Sequence, residues 1–535
     1  MQNLIGWNRI VRRTRRVMSR RASAPVPIAV WCFQAGLTPC GLLLLLLLTP
    51  TVARAQATTR FQTAFDSITS EEMREHVSVL ASDSLEGREA GSRGGQAAGN
   101  YLVEQLRKIG MQPFGTSGEY FQPFGSNYRN ILSLYPGTDP ELKNEYIVIG
   151  SHYDHVGYGT RRNSRGPIGQ IHNGADDNAS GCATLLELMQ AFKEFGVATR
   201  RSLVFAFWDG EEKNLLGSKH FVSVRTIPLS QIKLTINIDM VGKLSNDRFE
   251  ILGTRTAPGL RRFFSERNSE NLKVDFNWDI VADSDHHPFV ERGVPFLMPF
   301  TNKHDDYHRP TDDVDKVDYD GMQRVARVTF RVLHDFANSK QVPVFRPKCR
   351  VESNGTRRTL ERPLPRAEPR LGVQTLNLAD GGVQIRNVVA NSAAAVAGFR
   401  AGDRVLSFAG YKITAANFRA AVLVANSPAE VVVNRDGQTQ TLSITLPGQP
   451  RRLGIAWRGD PAEPGTSMLS RVIPGSPADM AGLKVGDRLY QFDGRPLASD
   501  EEFLAAIKGR NEVPLRIERD GKLMDVVIRA LLPGS

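Results

Sequence analysis

Three short apolar runs lie between residues 140 and 240, and each is followed at once by polar residues. The runs are Tyr146–Ile149, Leu203–Trp208 and Leu234–Ile238. Short continuous runs of this kind are typical of strands that are buried on both faces of a sheet. Apolar residues at helical spacing lie between the first two runs, at Leu185, Leu188, Met189 and Phe192. The pattern predicts an α/β domain built around a buried sheet.

Polar residues gather where these predicted strands end. The first run opens onto GSHYDHVG with His152 and Asp154, the second onto DGEE with Glu211 and Glu212, and the third ends at Asp239. In open α/β sheets the carboxyl ends of the strands are where ligands bind, because the strand ends hold side chains rigidly while the loops adapt. The sequence therefore predicts a functional site at this edge.

Each motif alone also has a structural explanation. A histidine beside a carboxylate could be a core residue, an aspartate before a helix could be its cap, and paired glutamates could form a solvated turn. The joint occurrence favours a metal site instead, because His, Asp and Glu side chains are what a divalent cation such as zinc binds. Five potential ligands of the types His, Asp, Glu, Asp and His occur in that order, four of them at strand ends or at the start of a helix.

Residues from about 70 to 335 resemble the family 28 metallopeptidases, zinc aminopeptidases with two cocatalytic metal ions. The resemblance rests on the motifs SDSLEGREAGS, GSHYDHVG, GADDNASG, FAFWDGEE, NIDMVG and DDYHRPTDD. It implies a mixed-sheet α/β/α sandwich of the zinc exopeptidase type that holds two Zn²⁺ ions. It also implies hydrolysis of the N-terminal peptide bond of peptide substrates.

The resemblance gives each ligand a role. Asp177 would bridge both ions, His152 and Asp239 would complete one site, and Glu212 and His308 would complete the other. A bridging carboxylate fixes a pair of metal ions that together polarise the scissile carbonyl and acidify a bound water. The expected cofactors are therefore two zinc ions that share Asp177.

Three further residues carry catalytic expectations. Glu211 would be the general base, because a free carboxylate beside the ligand Glu212 can take a proton from water and pass it to the leaving amine. Asp154 would orient His152, as partners of metal-binding imidazoles commonly do. Tyr307 would donate a hydrogen bond to the developing oxyanion, as a similar tyrosine does in some relatives.

One assignment within this set has a rival, and the remaining nearby histidines are given other roles. Asp176 competes with Asp177 as the bridging residue, and the position directly before Asn178 favours Asp177. Other histidines near the motifs are assigned loop or packing roles, because five ligands already account for two metal ions. They are His155, His172, His286, His287 and His304.

The last third of the chain holds an internal repeat. VVANSAAAVAGFRAGDRVLSFAGYKI from Val388 aligns with VIPGSPADMAGLKVGDRLYQFDGRPL from Val472. Each copy begins with a similar loop, RLGV at Arg370–Val373 and RLGI at Arg452–Ile455. The copies resemble small β-rich PDZ domains of the bacterial, circularly permuted kind, the second copy more closely. The resemblance implies that each loop receives the terminal carboxylate of a peptide, which adds a strand to the sheet edge.

These patterns divide the chain into a catalytic domain at 58–340, PDZ domains at 370–447 and 451–533, and a Pro/Arg-rich segment at 341–369. The composition of that segment predicts an extended, semi-rigid connector. We expect the PDZ domains to recruit the C-terminal tails of substrates or partner proteins through it. Truncation after Lys340 would then spare small substrates.

The first 55 residues form a predicted signal peptide. A basic stretch from Arg9 to Arg21 precedes the apolar Leu42–Leu48, and Ala53 to Ala55 supply a small-x-small cleavage pattern. Export to the periplasm or the medium is expected, without a membrane span after cleavage. These residues include eight arginines and no acidic residue; without them 60 basic residues face 57 acidic ones, so the net charge of +11 does not indicate a nucleic-acid partner.

Two alternative functions stay open. Glutaminyl cyclases and carboxypeptidases share the fold and much of the ligand order, so the same site is compatible with those reactions. The chain is also compatible with an exported PDZ scaffold whose peptidase domain is inactive. Retention of all five ligands and Glu211 argues against the scaffold, because buried carboxylates without a bound cation destabilise a fold.

Overall fold

The computed structural model describes residues 58–497 and 499–531, and the predicted signal peptide lies outside them. Within these ranges, none of the helices combines the length and the apolar character needed to cross a membrane.

A nine-stranded mixed sheet forms the centre of the large N-terminal domain. Its strands are β1 Gln112–Pro113, β2 Phe121–Phe124, β3 Tyr128–Tyr135, β4 Tyr146–His152, β5 Ser202–Trp208, β6 Ile232–Asn237, β7 Arg248–Leu252, β8 Lys273–Asn277 and β9 Phe296–Phe300. The sheet order is β1-β3-β5-β4-β6-β9-β7-β8, with β2 paired to β3. Strands β5, β4, β6 and β9 are parallel, whereas β3 and β7 join them antiparallel.

Helices cover both faces of this sheet. They are α1 Ser70–Leu80, α2 Arg93–Ile109, α3 Gly181–Phe195, α4 Leu216–Val224, α5 Leu260–Ser265, α6 His287–Glu291 and α7 Tyr319–Asn338. On one face Phe192 of α3 packs against Phe205 of β5, with ring centroids 6.2 Å apart. On the other, Trp208 of the same strand packs against Phe221 of α4 at 5.3 Å. All seven residues of β5 are buried as a result, which confirms the predicted α/β/α sandwich.

The composition of the segment after α7 predicted an extended connector, but the structure shows short helices there. Residues Pro347–Val351 form a 3₁₀ helix and Asn354–Leu360 form α8. The Asn354 backbone N–H donates to Asp279 of the large domain at 2.9 Å, and Cys349 is buried. Hydrogen bonds to the large domain therefore fix this part of the segment in place.

Two small domains with the same strand order follow, as the internal repeat predicts. The first contains β10 Val373–Asn377, β11 Val383–Val388, α9 Ala393–Val396, β12 Arg404–Phe408, β13 Tyr411–Lys412, α10 Phe418–Val424, β14 Ala429–Arg435 and β15 Gln438–Ile444. The second contains β16 Ile455–Gly459, β17 Ser467–Val472, α11 Pro477–Met480, β18 Arg488–Phe492, β19 Arg495–Pro496, α12 Asp500–Ile507, β20 Glu512–Arg519 and β21 Lys522–Arg529. Each sheet is antiparallel and closes over its own apolar core.

The second small domain is attached to the large domain through buried arginines. Arg255, which follows β7, donates to Glu352 at 3.0 Å and to Asp460 of the second small domain at 2.6 Å. Its guanidinium also lies 3.5 Å from the ring centroid of Trp278. The side chains of Arg255 and Asp460 are only 7% and 4% exposed.

Helix α5 makes a second set of contacts with the same small domain. Arg261 forms a two-bond ion pair with the fully buried Glu518, at 3.0 and 3.1 Å. The Gly259 N–H donates to the Ala462 carbonyl at 2.8 Å, and the Val274 N–H donates to the Asp520 carbonyl at 2.9 Å. Backbone and side-chain bonds together fix the second small domain to the β7–β8 end of the large sheet.

Candidate metal centre

All five predicted ligands lie at the carboxyl edge of the central parallel strands. His152 is the last residue of β4, Glu212 follows β5, and Asp239 follows β6. Asp177 lies in an irregular turn that leads into α3, and His308 lies between β9 and α7. Residues that are far apart in sequence therefore come together because parallel strands end at the same edge.

The ligand atoms form two groups that share Asp177. In the first group, His152 Nε2 lies 3.4 Å from Asp177 Oδ1 and 3.4 Å from Asp239 Oδ1. In the second group, His308 Nε2 lies 3.1 Å from Asp177 Oδ2 and 3.1 Å from Glu212 Oε1. The two carboxylate oxygens of Asp177 thus face different groups. This donor set of imidazole nitrogens and carboxylate oxygens fits zinc.

The electrostatics of the two groups favour a bound cation. Burial alone would raise the pKa of Asp177, but His155, His152 and His308 outweigh it and hold the pKa well below its usual value. Burial and Asp177 likewise raise the pKa of Glu212, yet His155 and His308 lower it to about 2. The pKa of His308 rises to about 10, because Asp177 and Glu212 outweigh its burial. The carboxylates of Asp177 and Glu212 therefore stay ionised and attract positive charge.

Glu211 lies beside these groups without belonging to either. Burial raises its pKa well above the usual value, His152 opposes that rise, and repulsion from Glu212, Asp285 and Asp239 adds to it. Its side chain lines the same cavity as the ligands. The residue expected to be the base therefore lies next to the ligand atoms and belongs to neither ligand group.

Asp154 is placed differently from the expectation that its carboxylate orients His152. The His152 Nδ1 atom lies 3.1 Å from the Asp154 backbone carbonyl but 3.8 Å from its carboxylate. The carboxylate instead accepts the backbone N–H groups of Glu211 at 3.0 Å and of Glu212 at 3.3 Å. Asp154 therefore fixes the turn that carries the two glutamates, and its main chain orients the imidazole.

The side chain of Asp176, the rival of Asp177, points away from both ligand groups. It accepts hydrogen bonds from Ser180 Oγ at 2.9 Å and from the Gly242 N–H at 2.6 Å. Asp312, which the sequence analysis did not single out, accepts the backbone N–H groups of both aspartates at 3.0 to 3.1 Å. Its place within DDYHRPTDD was the available signal.

His155 also differs from its predicted role in a loop or in packing. Its Nδ1 atom lies 3.0 Å from Glu212 Oε1 and 3.7 Å from Asp177 Oδ2, inside the second ligand group. The signal was its position three residues after His152, within the same GSHYDHVG motif. By contrast, His286 stacks on Phe296 at 4.3 Å and plays a packing role.

Comparison with known proteins identifies the domains of the chain. Residues 130–333 match the sequence profile of peptidase family M28, and residues 369–446 and 468–519 match profiles of the PDZ domain. The chain contains a peptidase family M28 domain followed by two PDZ domains.

Two curated relatives resemble the M28 part of the chain. A probable leucine aminopeptidase of Trichophyton verrucosum is 27% identical over 252 residues, which cover 44% of this chain and 65% of that protein. Leupeptin-inactivating enzyme 1 of Streptomyces exfoliatus is 28% identical over 222 residues, covering 41% and 45%. The chain thus spans less than two thirds of either relative. The solved LapA aminopeptidase of Legionella pneumophila superposes with a TM-score of 0.45 at 18% identity, covering 53% of this chain and 75% of that one.

Arg88 joins two loops next to the ligand groups. The sequence analysis quoted its motif without giving the residue a role. Its side chain is buried and donates to the carbonyls of Tyr153 at 3.0 Å, Asn173 at 2.6 Å and Gly174 at 3.0 Å. The first carbonyl belongs to the loop after His152, and the other two belong to the loop before Asp177. One guanidinium therefore joins the two loops that carry ligands.

The cavity of the M28 domain extends from the ligand groups to an apolar wall. The wall consists of Met240, Leu252, Met298 and Phe300. Tyr307 lines the cavity as well, and its ring stacks on that of His308 with centroids 3.9 Å apart. The site thus combines an acidic floor with an apolar wall.

Proposed function

We propose that the M28 domain is a zinc-dependent aminopeptidase that removes the N-terminal residue of peptides with two zinc ions. The observation that carries the proposal is the sharing of Asp177 between two ligand groups, next to the side chain of Glu211, which belongs to neither group. His152 and Asp239 would complete one zinc site, and Glu212 and His308 would hold the other. The name of the Trichophyton verrucosum relative, a probable leucine aminopeptidase, supports the same activity.

The chain supplies the proton transfers. Zinc contributes Lewis acidity toward the scissile carbonyl and lowers the pKa of water at the site. Glu211 would take a proton from the attacking water and deliver it to the leaving amine. Asp154 holds Glu211 in place through its backbone N–H, and we assign Tyr307 as a hydrogen-bond donor to the developing oxyanion.

The charge of the cavity favours an N-terminal amine over a C-terminal carboxylate. Beyond the ligands, Glu211 and Asp283 contribute acidic side chains whose oxygens accept hydrogen bonds from an amine. Among the described residues lining the cavity, Lys303 is the only basic side chain besides the ligand His152, and its Nζ lies 3.9 Å from Asp283. Because binding sites complement the charge of their ligands, these residues favour aminopeptidase over carboxypeptidase activity.

The apolar wall indicates the preferred substrate. Leu252, Met298 and Phe300 are the side chains that an N-terminal residue would contact beside the ligand groups. Burial of a leucine-sized side chain against such a wall contributes roughly 1.5 to 3 kcal/mol. We therefore expect leucine- and methionine-type N-termini to be cleaved faster than glycine or aspartate.

Substitution of the proposed base tests this function. Glu211→Gln preserves the shape of the side chain but cannot accept a proton, so we expect two bound zinc ions and a turnover about two to four powers of ten lower. Zinc content by elemental analysis and hydrolysis rates on a panel of aminoacyl amides provide the measurements. Loss of zinc from the variant, or near-normal turnover, would show that Glu211 is not the base.

The same protein should be assayed on the competing substrates. Glutaminyl peptides that cyclise to pyroglutamate test a cyclase, and N-blocked peptides test a carboxypeptidase. Turnover of either class above that of aminoacyl amides would replace the aminopeptidase assignment. A zinc-loaded protein inactive on all three would instead support the scaffold.

We also propose that the first PDZ domain binds the C-terminal tails of peptides. Among the described residues, its strand β10 pairs with β11 alone, so its other edge is available for a peptide strand. The loop before β10 requires a glycine at position 372. The φ of Gly372 is +79°, and a Cβ there would lie 2.3 Å from Ser392, so a larger residue would distort the loop. Titration of the full chain with free and amidated peptides checks this proposal, since equal affinities would contradict carboxylate recognition.

Export is the last part of the proposed function. The predicted signal peptide would be removed after Ala55, which leaves a mature chain that begins at Gln56. Mass spectrometry of protein recovered from the periplasm and the medium would locate this terminus. An intact N-terminus in the cell-associated fraction alone would contradict it.

A further inference from the structure

The two ligand groups of the metal centre are not equivalent. The first contains three protein atoms, from His152, Asp177 and Asp239, whereas the second contains four because His155 joins it. The five ligands assigned in the sequence analysis would have made the groups symmetric, with one histidine and one terminal carboxylate each. The additional imidazole is therefore a property of this chain that bears on how it would hold metal.

The second group has the dimensions of a closed tetrahedral zinc site. Four ligand atoms at about 2.0 to 2.1 Å from a zinc ion lie about 3.3 Å from one another. Here Glu212 Oε1 is 3.0 Å from His155 Nδ1 and 3.1 Å from His308 Nε2. Asp177 Oδ2 is 3.1 Å from the same His308 atom and 3.7 Å from His155 Nδ1. These four separations scatter around the tetrahedral value.

The ring of His155 is held where it can reach this group. The residue is 1% exposed, and its ring lies edge-on to His308 with centroids 5.5 Å apart. Gly174 lies against it with a φ of +59°, and a Cβ at that position would be 2.5 Å from the ring. The backbone of the loop before Asp177 therefore makes room for this imidazole, which faces the ligand atoms with Nδ1.

We propose that His155 is the fourth protein ligand of the second zinc site. That site is then closed by protein, whereas the site of His152 and Asp239 keeps an open position for water and substrate. Structural zinc sites are typically closed in this way, and catalytic sites keep one position free. The inference rests on the proposed zinc-dependent function and assigns different affinities to its two ions, the second site being the tighter.

An alternative role for His155 is that of a hydrogen-bond donor to the Glu212 carboxylate, which the 3.0 Å distance also permits. Two substitutions separate the roles. His155→Cys keeps a zinc-binding atom near Nδ1 but is a poor donor, while His155→Gln keeps an amide donor and is a poor zinc ligand. His220→Gln provides the control, since His220 is a histidine outside both ligand groups that stacks on Phe124.

The full-length protein and the variants are titrated with zinc against a chromophoric chelator, and their cobalt(II) forms are examined by absorption. If His155 is a ligand, His155→Gln weakens the tighter site by more than about 100-fold, beyond the 10- to 100-fold typical of a residue that only orients a ligand. His155→Cys stays within about tenfold of the wild type and gains a thiolate-to-cobalt charge-transfer band. His220→Gln matches the wild type.

The opposite pattern would overturn the inference. Near-normal zinc affinity in His155→Gln, or cobalt-loaded His155→Cys without a charge-transfer band, would show that residue 155 does not bind the metal. These readouts do not depend on turnover, so a wild type with two zinc ions of unequal affinity but no peptidase activity would contradict the proposed function alone. A wild type that takes up no zinc would overturn both.

Discussion

The carboxylate of Asp154 is fully buried and accepts the backbone N–H groups of both Glu211 and Glu212. An N–H group that loses its acceptor in a buried position costs about 1 to 3 kcal/mol. The turn that carries the proposed base and a ligand is therefore held by one side chain. Sequence reasoning located this residue because it follows His152 in the HYD motif, but which N–H groups it would accept depends on how β4 and β5 are paired.

Asp154→Asn tests that role. The amide accepts one of the two N–H groups but turns its own N–H₂ group toward the other, so the turn loosens. We expect both zinc ions to remain and turnover to fall about 10- to 100-fold, the range for residues that orient ligands. Metal analysis and rates on an aminoacyl amide measure the effect.

Asp139→Asn is the matched control for that substitution. Asp139 also accepts two backbone N–H groups, of Glu141 at 2.9 Å and of Leu142 at 3.1 Å, but in a turn outside the metal centre. Its loss should leave turnover unchanged. Equal activity in the two variants would contradict a positioning role for Asp154.

His155 and Arg88 are residues whose contacts could not be predicted from the sequence. Both lie in quoted motifs, yet a motif does not say which way a side chain turns. Arg88 has backbone carbonyls as its hydrogen-bond partners, and these belong to the last residue of α1 and to two separate loops. Such partners carry no residue-type signal, so sequence alone could not have assigned them. The five ligands, in contrast, are defined by residue type and order.

Helix α3 illustrates the same limit at the scale of an element. Its apolar period was visible in the sequence, and the helix lies where that period predicts it. It nevertheless buries Glu187, whose Oε2 accepts the backbone N–H of Thr69 at 2.9 Å, just before α1. Burial and repulsion from Glu72 raise the pKa of Glu187 to about 8, although the Thr69 N–H opposes the rise.

This pKa makes the stability of the fold depend on pH. Above its ordinary pKa of 4.5 Glu187 ionises in the unfolded chain, while it stays protonated in the folded chain up to about pH 8. The folded state then binds a proton that the unfolded state has released, so the free energy of unfolding falls as pH rises through this window. Glu187→Gln removes the effect and should be more stable than the wild type by on the order of 3 kcal/mol at pH 7.

Denaturant unfolding of both proteins between pH 4.5 and 8 measures the difference, which should shrink toward zero at the acid end. Glu194→Gln, an exposed residue of the same helix, should track the wild type throughout. A constant gap between the wild type and Glu187→Gln across the range would mean that Glu187 is ionised in the folded state.

The central strands of the sheet were predictable, and its far end was not. Strands β4 and β5 contain the first two predicted runs, and β6 contains the third except for its last residue, Ile238, because helices bury both faces of these strands. The pattern analysis did not single out β7 and β8. One end of these strands meets the second PDZ domain, and the Arg255–Asp460 contact that joins them spans 205 residues of sequence. No local pattern encodes a partner at that distance.

At the scale of the whole molecule, the second PDZ domain is fixed to the M28 domain by buried ion pairs. Arg255 and Arg261 would be left as buried charges without Asp460 and Glu518. A truncation after Lys340 removes Glu352 together with both of these partners. The expectation that such a truncation spares small substrates is therefore not supported, and a stabilising role for the repeats is favoured over recruitment through a loose connector.

Glu518→Gln tests this attachment. Removal of one partner from a buried ion pair destabilises a protein by about 3 to 5 kcal/mol, because the other charge remains buried without compensation. We expect a loss near 3 kcal/mol in the unfolding of the full chain and faster tryptic cleavage next to Arg261. Thermal unfolding and limited proteolysis provide the measurements.

Asp380→Asn is the control for the ion pair. Asp380 lies 2.6 Å from Arg404 in the first PDZ domain, and the two side chains are 53% and 42% exposed. Exposed pairs contribute about 0 to 1 kcal/mol, so this variant should unfold like the wild type. If Glu518→Gln also unfolds like the wild type, the ion pair does not hold the second PDZ domain in place.

The burial of Arg255 and Asp460 also determines how this joint responds to dissolved salt. Counter-ions screen charges that they can approach, and at 1 M salt the screening length falls to about 3 Å. An exposed pair such as Arg93 with Glu86, whose side chains are 79% and 26% exposed, loosens under those conditions. Asp460, which is 4% exposed, is shielded from the ions by the protein itself. The M28 domain and the second PDZ domain should therefore keep the same mutual orientation at low and at high salt concentration.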